Sequence, residues 1–145
     1  MPNRRKAREN AFIALFSTAF GNTMPEALEN ACEGDEELNL DDFGRTLLGL
    51  YEAHSQEIDA AIEGKLKGWN VNRLSKVNLS ILRLAVAEML YGKEDMDSVV
   101  INEAVELAKR FGDESDYQFV NGLLGALSRD EGNHQNDTAS GGAGV

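Results

Sequence analysis

Apolar residues recur in this chain at three- and four-residue steps almost from end to end, and nowhere alternate one-in, one-out over the length of a strand. A chain patterned this way buries its apolar surface along helix stripes, which confines it to an all-α fold. Phe12, Leu15, Phe16, Ala19 and Phe20 fall at i, i+3, i+4, i+7 and i+8 and predict a first helix that stops at Gly21-Asn22. Thr23 and Glu26 form a T-x-x-E capping signature, with Pro25 tolerable in the first turn, for a short second helix over about 25–31.

Phe43, Leu47, Leu50 and Tyr51 give a third helix, and Ile58, Ala61, Ile62 and Leu66 a fourth that ends at Gly68. In NRLSKVNLSILRLAVAEMLYG the apolar positions spread around most of the circumference, so this fifth helix is expected to be the buried centre, ending at Gly92. A sixth helix should begin with Asp97 or Ser98 as N-cap and turn Val100, Ala104, Leu107, Ala108 and Phe111 inward, with Glu106 placed to pair with Lys109 and Arg110. Ser115 and Gln118 offer an S-x-x-Q capping box for a seventh, packed through Phe119, Val120, Leu123, Leu124 and Leu127. Gly122 in its middle implies another backbone packed close by. The expected architecture is about seven helices in one domain over 1–130, with two small subdomains (about 1–68 and 69–130) meeting around the fifth helix. Residues 131–145, poor in large apolar side chains, are read as a disordered tail.

The 145 residues include a single cysteine, Cys32, so no internal disulfide forms and a reducing cytoplasm is the default compartment. No stretch reaches the length of a membrane span. Arg4, Arg5, Lys6 and Arg8 ahead of AFIALFSTAF imitate an export signal, but Glu9 and Asn10 break the join and no small-x-small cleavage site follows closely. Six carboxylates within 33–42 read as a solvated connector, because they lack the spacing of a calcium loop.

No catalytic constellation emerges. His54 and His134 read as solvated, and GRTLLG lacks the Lys-Ser/Thr of a phosphate loop. Glu88, with Arg83 close in sequence, and Glu103 look like partly buried ion-pair members rather than an acid/base couple. Function should lie in binding, with no cofactor and no metal. The net charge is −11, yet four of the 14 Lys and Arg residues stand in the first eight positions. On a helical wheel Arg4, Arg5 and Arg8 fall within about 100° of one another, in line with the buried stripe, while Lys6 points away. They are expected to project past the core and offer forked guanidinium groups, well matched to phosphate, to a partner; the alternative is a frayed, soluble terminus that binds nothing. Phe16 or Phe119 could stack on an unpaired base.

Three segments carry a resemblance: RRKARENAFIALF, WNVNRLSKVNLSILRLAVAEML and VVINEAVELAKRFGDESDYQFVNGLLGAL. Together, from about residue 4 to 128 and in order and spacing, they resemble the NusB family of bacterial transcription antitermination factors, INEAVELAK followed by FVNG being the specific part. The resemblance implies an all-helical, non-enzymatic protein that binds the boxA element of nascent ribosomal RNA leaders as a heterodimer with NusE, a small-subunit ribosomal protein, and helps RNA polymerase read through terminators. It implies RNA contact by Arg4, Arg5, Lys6 and Arg8, base contact by Phe16 and Phe119, and a place for Lys76 beside the same surface. About four neutralised phosphates would give a log-log salt slope of about −2.8 for a single strand. Two departures from the family pattern are Met96-Asp97, where Pro is common, and Gly125 in place of Asp. The competing readings are a helical protein-interaction module or homodimer for which RNA is incidental, and the RNA-binding region of a ribosomal RNA methyltransferase, which lacks its cofactor domain here.

Overall fold

The computed structural model describes residues 4–20, 42–68, 70–92 and 95–139, with side chains described as far as residue 130. The expected helix near Pro25, Cys32, nearly all of the acidic connector, the side chain of His134 and residues 140–145 lie outside the described part. The elements are α1 (Arg4–Thr18), α2 (Asp42–Ala53), α3 (Ser55–Glu63), a 3-10 turn (Val71–Arg73), α4 (Lys76–Ala87) running on as a π-turn (Glu88–Gly92), α5 (Asp97–Phe111) and α6 (Glu114–Ala139). No strand occurs among the described residues.

The apolar circumference of the expected fifth helix has the predicted consequence. Now α4, it packs against each of the other described α-helices, and Ile81, Leu82, Leu84, Ala85, Val86 and Ala87 are all buried. α1 and α2 pack on each other as well as on it, and so do α5 and α6. Ser75 starts α4 by accepting the Asn78 N–H at 3.1 Å, and Asn70 accepts the Asn72 N–H at 2.9 Å to start the 3-10 turn. After α3 the chain turns through Lys67 (φ 52°) and Gly68 (φ 97°), a left-handed pair that glycine relieves at its second position.

The helix starts differ from expectation in instructive ways. Met96, not Asp97 or Ser98, occupies the N-cap of α5 and makes no side-chain cap. Asp97 instead sits in the first turn, where its charge suits the helix N-terminus, and accepts the Ser128 hydroxyl of α6 at 2.8 Å. Met96 has φ −66°, a value proline also adopts. α6 is capped not by Ser115 and Gln118 but by the pair two residues earlier. Asp113 accepts the Asp116 N–H at 3.2 Å while Asp116 accepts the Asp113 N–H at 2.9 Å, a reciprocal box.

Four packing expectations change as well. Nothing lies within 4 Å of a Cβ built on Gly122, which is exposed rather than pressed by a neighbouring backbone. Phe20 and Phe111, assigned to the core by spacing, are 60 % and 38 % exposed. His54 is half-buried, its ring stacked on Tyr91 at 3.7 Å. The backbone of α6 stays helical to Ala139, well into the stretch read as disordered, since propagating a helix from a packed segment costs little per residue. No described helix is long and apolar enough to cross a membrane.

Candidate nucleic-acid interface

α1 opens on its basic residues, and their surroundings separate them into two kinds. Arg8 points inward. Its Nε and Nη2 donate to the two Glu88 oxygens at 2.9 and 2.6 Å, Nη2 also donates to Asp95 at 2.7 Å, and Glu103 lies 3.9 Å away. Both the Arg8 and Glu88 side chains are almost wholly buried. Burial alone would pull the Arg8 pKa down, but the hydrogen bonds and charges of Glu88 and Asp95 outweigh it and hold the group above its ordinary value. Arg8 was expected to project toward a partner; it is instead a fixed internal charge whose fork is already satisfied. The reason is position. One turn further into α1 than Arg4, it lies over the π-turn that carries Glu88.

Arg4 and Arg5 do reach solvent, with 46 % and 66 % of their side chains exposed. Arg4 donates to Asp95 at 2.8 Å and stacks over Phe43 at 4.5 Å. Arg5 donates from Nε to Glu103 at 3.2 and 3.1 Å, which raises its pKa. Hydrogen bonding from Arg4, then from Arg8, holds the Asp95 carboxyl below its usual range despite partial burial. Lys6 is partly exposed, 3.9 Å from Glu9.

Phe16 and Lys76 both adjoin Phe20 at the other end of α1. Phe16 is half-buried, with Phe12 at 5.7 Å and Phe20 at 4.9 Å, and the exposed Lys76 ammonium sits 4.5 Å over the Phe20 ring. At 1.5 Å per residue, Arg4 and Phe16 stand roughly 18 Å apart along the helix, so the site residues form two clusters rather than one. Phe119 is half-buried on α6, against the core. Sequence reasoning missed Phe20 as a surface ring and missed the carboxylates that hold the arginines. Glu88 and Glu103 are ion-pair members, as expected, but their partners are Arg8 and Arg5, from about 80 to 98 positions away. Arg83, the neighbour in sequence, pairs with Asp59 through two 2.9 Å bonds.

The model of the NusB family matches residues 5–129. A transcription antitermination protein NusB of Bacillus mycoides is 46 % identical over 123 residues, covering 83 % of this chain and 93 % of its own length. One from Clostridium botulinum is 39 % identical over 140 residues, covering 86 % and 99 %. Among solved structures, T. maritima NusB superposes with a TM-score of 0.78 at 34 % identity, covering 88 % of this chain and 92 % of that one. A chain from a complex of the antitermination factors NusB and NusE with double-stranded RNA superposes with a TM-score of 0.73 at 29 % identity, covering 88 % and 96 %.

Proposed function

This chain belongs to the NusB family, and we propose that it is a transcription antitermination factor that binds boxA-type leader RNA together with a NusE protein, acting in the cytoplasm within the RNA polymerase antitermination complex. It is an RNA-binding adaptor, not an enzyme. The observation that carries this reading is the fit, over 88 % of the chain, to a protein solved together with NusE and RNA. Residues 1–130 act as one binding unit in this reading.

The contact residues divide by what each side chain still has to offer. Arg4, Arg5 and Lys6 supply exposed positive charge at the start of α1, and Lys76 supplies it at the far end, beside Phe16 and Phe20. Their carboxylate partners do not forbid this, because exposed ion pairs are worth only about 0–1 kcal/mol and exchange readily for a phosphate. Arg8 acts indirectly: by drawing Glu88 and Asp95 to the base of α1 it positions Arg4. Phe16 and Phe119 offer ring edges to unpaired bases.

With Arg8 withdrawn, Arg4, Arg5, Lys6 and Lys76 remain to neutralise about four phosphates, and the log-log salt slope for a short single strand should be about −2.8. Titrating a fluorescent boxA-like RNA at two salt concentrations, with and without NusE, tests this. Binding that tightens with NusE and weakens with salt supports the adaptor. Absence of binding in every mixture overturns it and leaves a helical protein-interaction module.

A further inference from the structure

Resting on the RNA-binding reading above, we propose that Glu103 is an autoinhibitory clasp: in the free protein it occupies the edge of Arg5 that a phosphate would take, and it falls back on Arg8 when RNA claims Arg5.

Arg4 and Arg5 are both exposed, but they are held differently. Arg4 gives Asp95 a single Nη1 bond at 2.8 Å, to an oxygen that also accepts Arg8 Nη2 at 2.7 Å. Arg5 turns its whole Nε–Nη2 edge to Glu103, with Nε 3.2 and 3.1 Å from the two carboxylate oxygens and Nη2 3.0 Å from the second. Such an edge grips phosphate by parallel hydrogen bonds, and a carboxylate offers it the same spacing of two oxygens. Glu103 therefore stands where a phosphate would. Its hydrogen bonds and then its charge raise the Arg5 pKa, the effect expected of a bound anion.

The two partners differ in freedom. The Arg5 side chain is mostly in solvent, whereas Glu103 is 13 % exposed and rises from α5, which packs on both α4 and α6. Opening the pair thus moves Arg5 and leaves Glu103 in place. A carboxylate so far withdrawn from water is destabilising without a cation beside it. Arg8 supplies one: its Nη1 lies 3.9 Å from Glu103, while Glu88 and Asp95 are bound through its Nε and Nη2. Glu103 accordingly has two cations in reach, one buried and permanent, the other exposed and exchangeable. A lone phosphate must displace Glu103 to reach that edge, whereas a strand that also touches Lys6 or Lys76 offsets the displacement with its other contacts. The clasp thereby favours an extended strand over isolated phosphates.

The test titrates a fluorescent single-stranded boxA-like RNA with the full chain, Glu103→Gln, Arg5→Ala and the double variant. Glu103→Gln should tighten binding roughly two- to fivefold, because the competitor is gone and Arg5 remains. In the Arg5→Ala background the same change should have no effect, since no fork is left to release. Arg5→Ala alone should make the log-log salt slope shallower by about 0.7, and Glu103→Gln should leave it as it is, the number of phosphates held being the same. Glu106→Gln removes an equal charge one turn along α5, where Glu106 pairs with Lys109, and should change affinity much less. If Glu103→Gln does not fold, Glu103→Asp, which keeps the charge but draws it back from Arg5, should tighten binding in the same direction. Weaker or unchanged binding by whichever Glu103 variant folds overturns the clasp, as does an equal gain in the Arg5→Ala background or from Glu106→Gln. Failure of the wild type to bind the RNA, with or without NusE, overturns the adaptor reading itself.

Discussion

Arg8 is held by three carboxylates that arrive from the end of α4, from the linker after it and from α5, so one side chain ties three parts of the molecule to α1. Removing it strands Glu88 in the interior without its partner. Arg8→Ala should cost about 3–5 kcal/mol of stability in a denaturant titration, whereas replacing Arg8 and Glu88 together by Met and Leu should recover most of that loss. Tyr51 makes a second residue-scale prediction. Burial first, and the neighbouring Asp59 carboxylate, push its phenol up from 10.0 to about 12, against the opposing pull of Arg83. The folded state thus favours the protonated phenol. Its contribution is complete below the unfolded value and is lost as pH rises from about 10 toward 12. Tyr51→Phe should flatten the alkaline limb of stability measured by thermal melting across that range. Asp95 has the opposite sign: its lowered pKa gives stability that is present above the unfolded value and disappears as pH falls through the folded one.

At the scale of elements, the helix termini and a glycine make checkable statements. Asp113 and Asp116 close the start of α6 reciprocally, so Asp113→Ala should destabilise measurably in the same denaturant titration while Ser115→Ala and Gln118→Ala cost much less. The Ser115 hydroxyl donates to Asp113 at 2.7 Å and lowers the Asp113 pKa, so it supports the cap without being it. Gly122 lies exposed in α6 with open space where a Cβ would go, so Gly122→Ala should stabilise by about 1 kcal/mol in the same assay. Sequence periodicity located α1, α2, α3, α4, α5 and α6 because each needs one apolar stripe, and a stripe is visible without neighbours. It misplaced the caps of α5 and α6 because several adjacent residues could serve, and the choice depends on contacts such as Ser128 with Asp97. It also placed Phe20 and Phe111 inside, since a helix pattern shows which face is apolar and not where the neighbouring helices end.

For the whole molecule, the adaptor reading places RNA contact on exposed cations at both ends of α1. The triple change Arg4→Ala, Arg5→Ala and Lys76→Ala should therefore reduce RNA affinity and make the salt slope shallower by about 2, leaving only the share of Lys6, while binding to NusE in a pull-down persists. If the triple variant binds RNA as tightly as the wild type, the exposed cations are not the contact. The sequence by itself determined that the chain is all-helical, that the segment around Ile81–Ala87 is its centre, and that positive charge gathers at its start, because stripe width, circumference and charge order are local properties. Only the tertiary structure decided which arginines remain available. Whether a guanidinium meets solvent or a carboxylate depends on residues from about 80 to 98 positions distant, and no spacing within α1 encodes where Glu88, Asp95 and Glu103 come to rest.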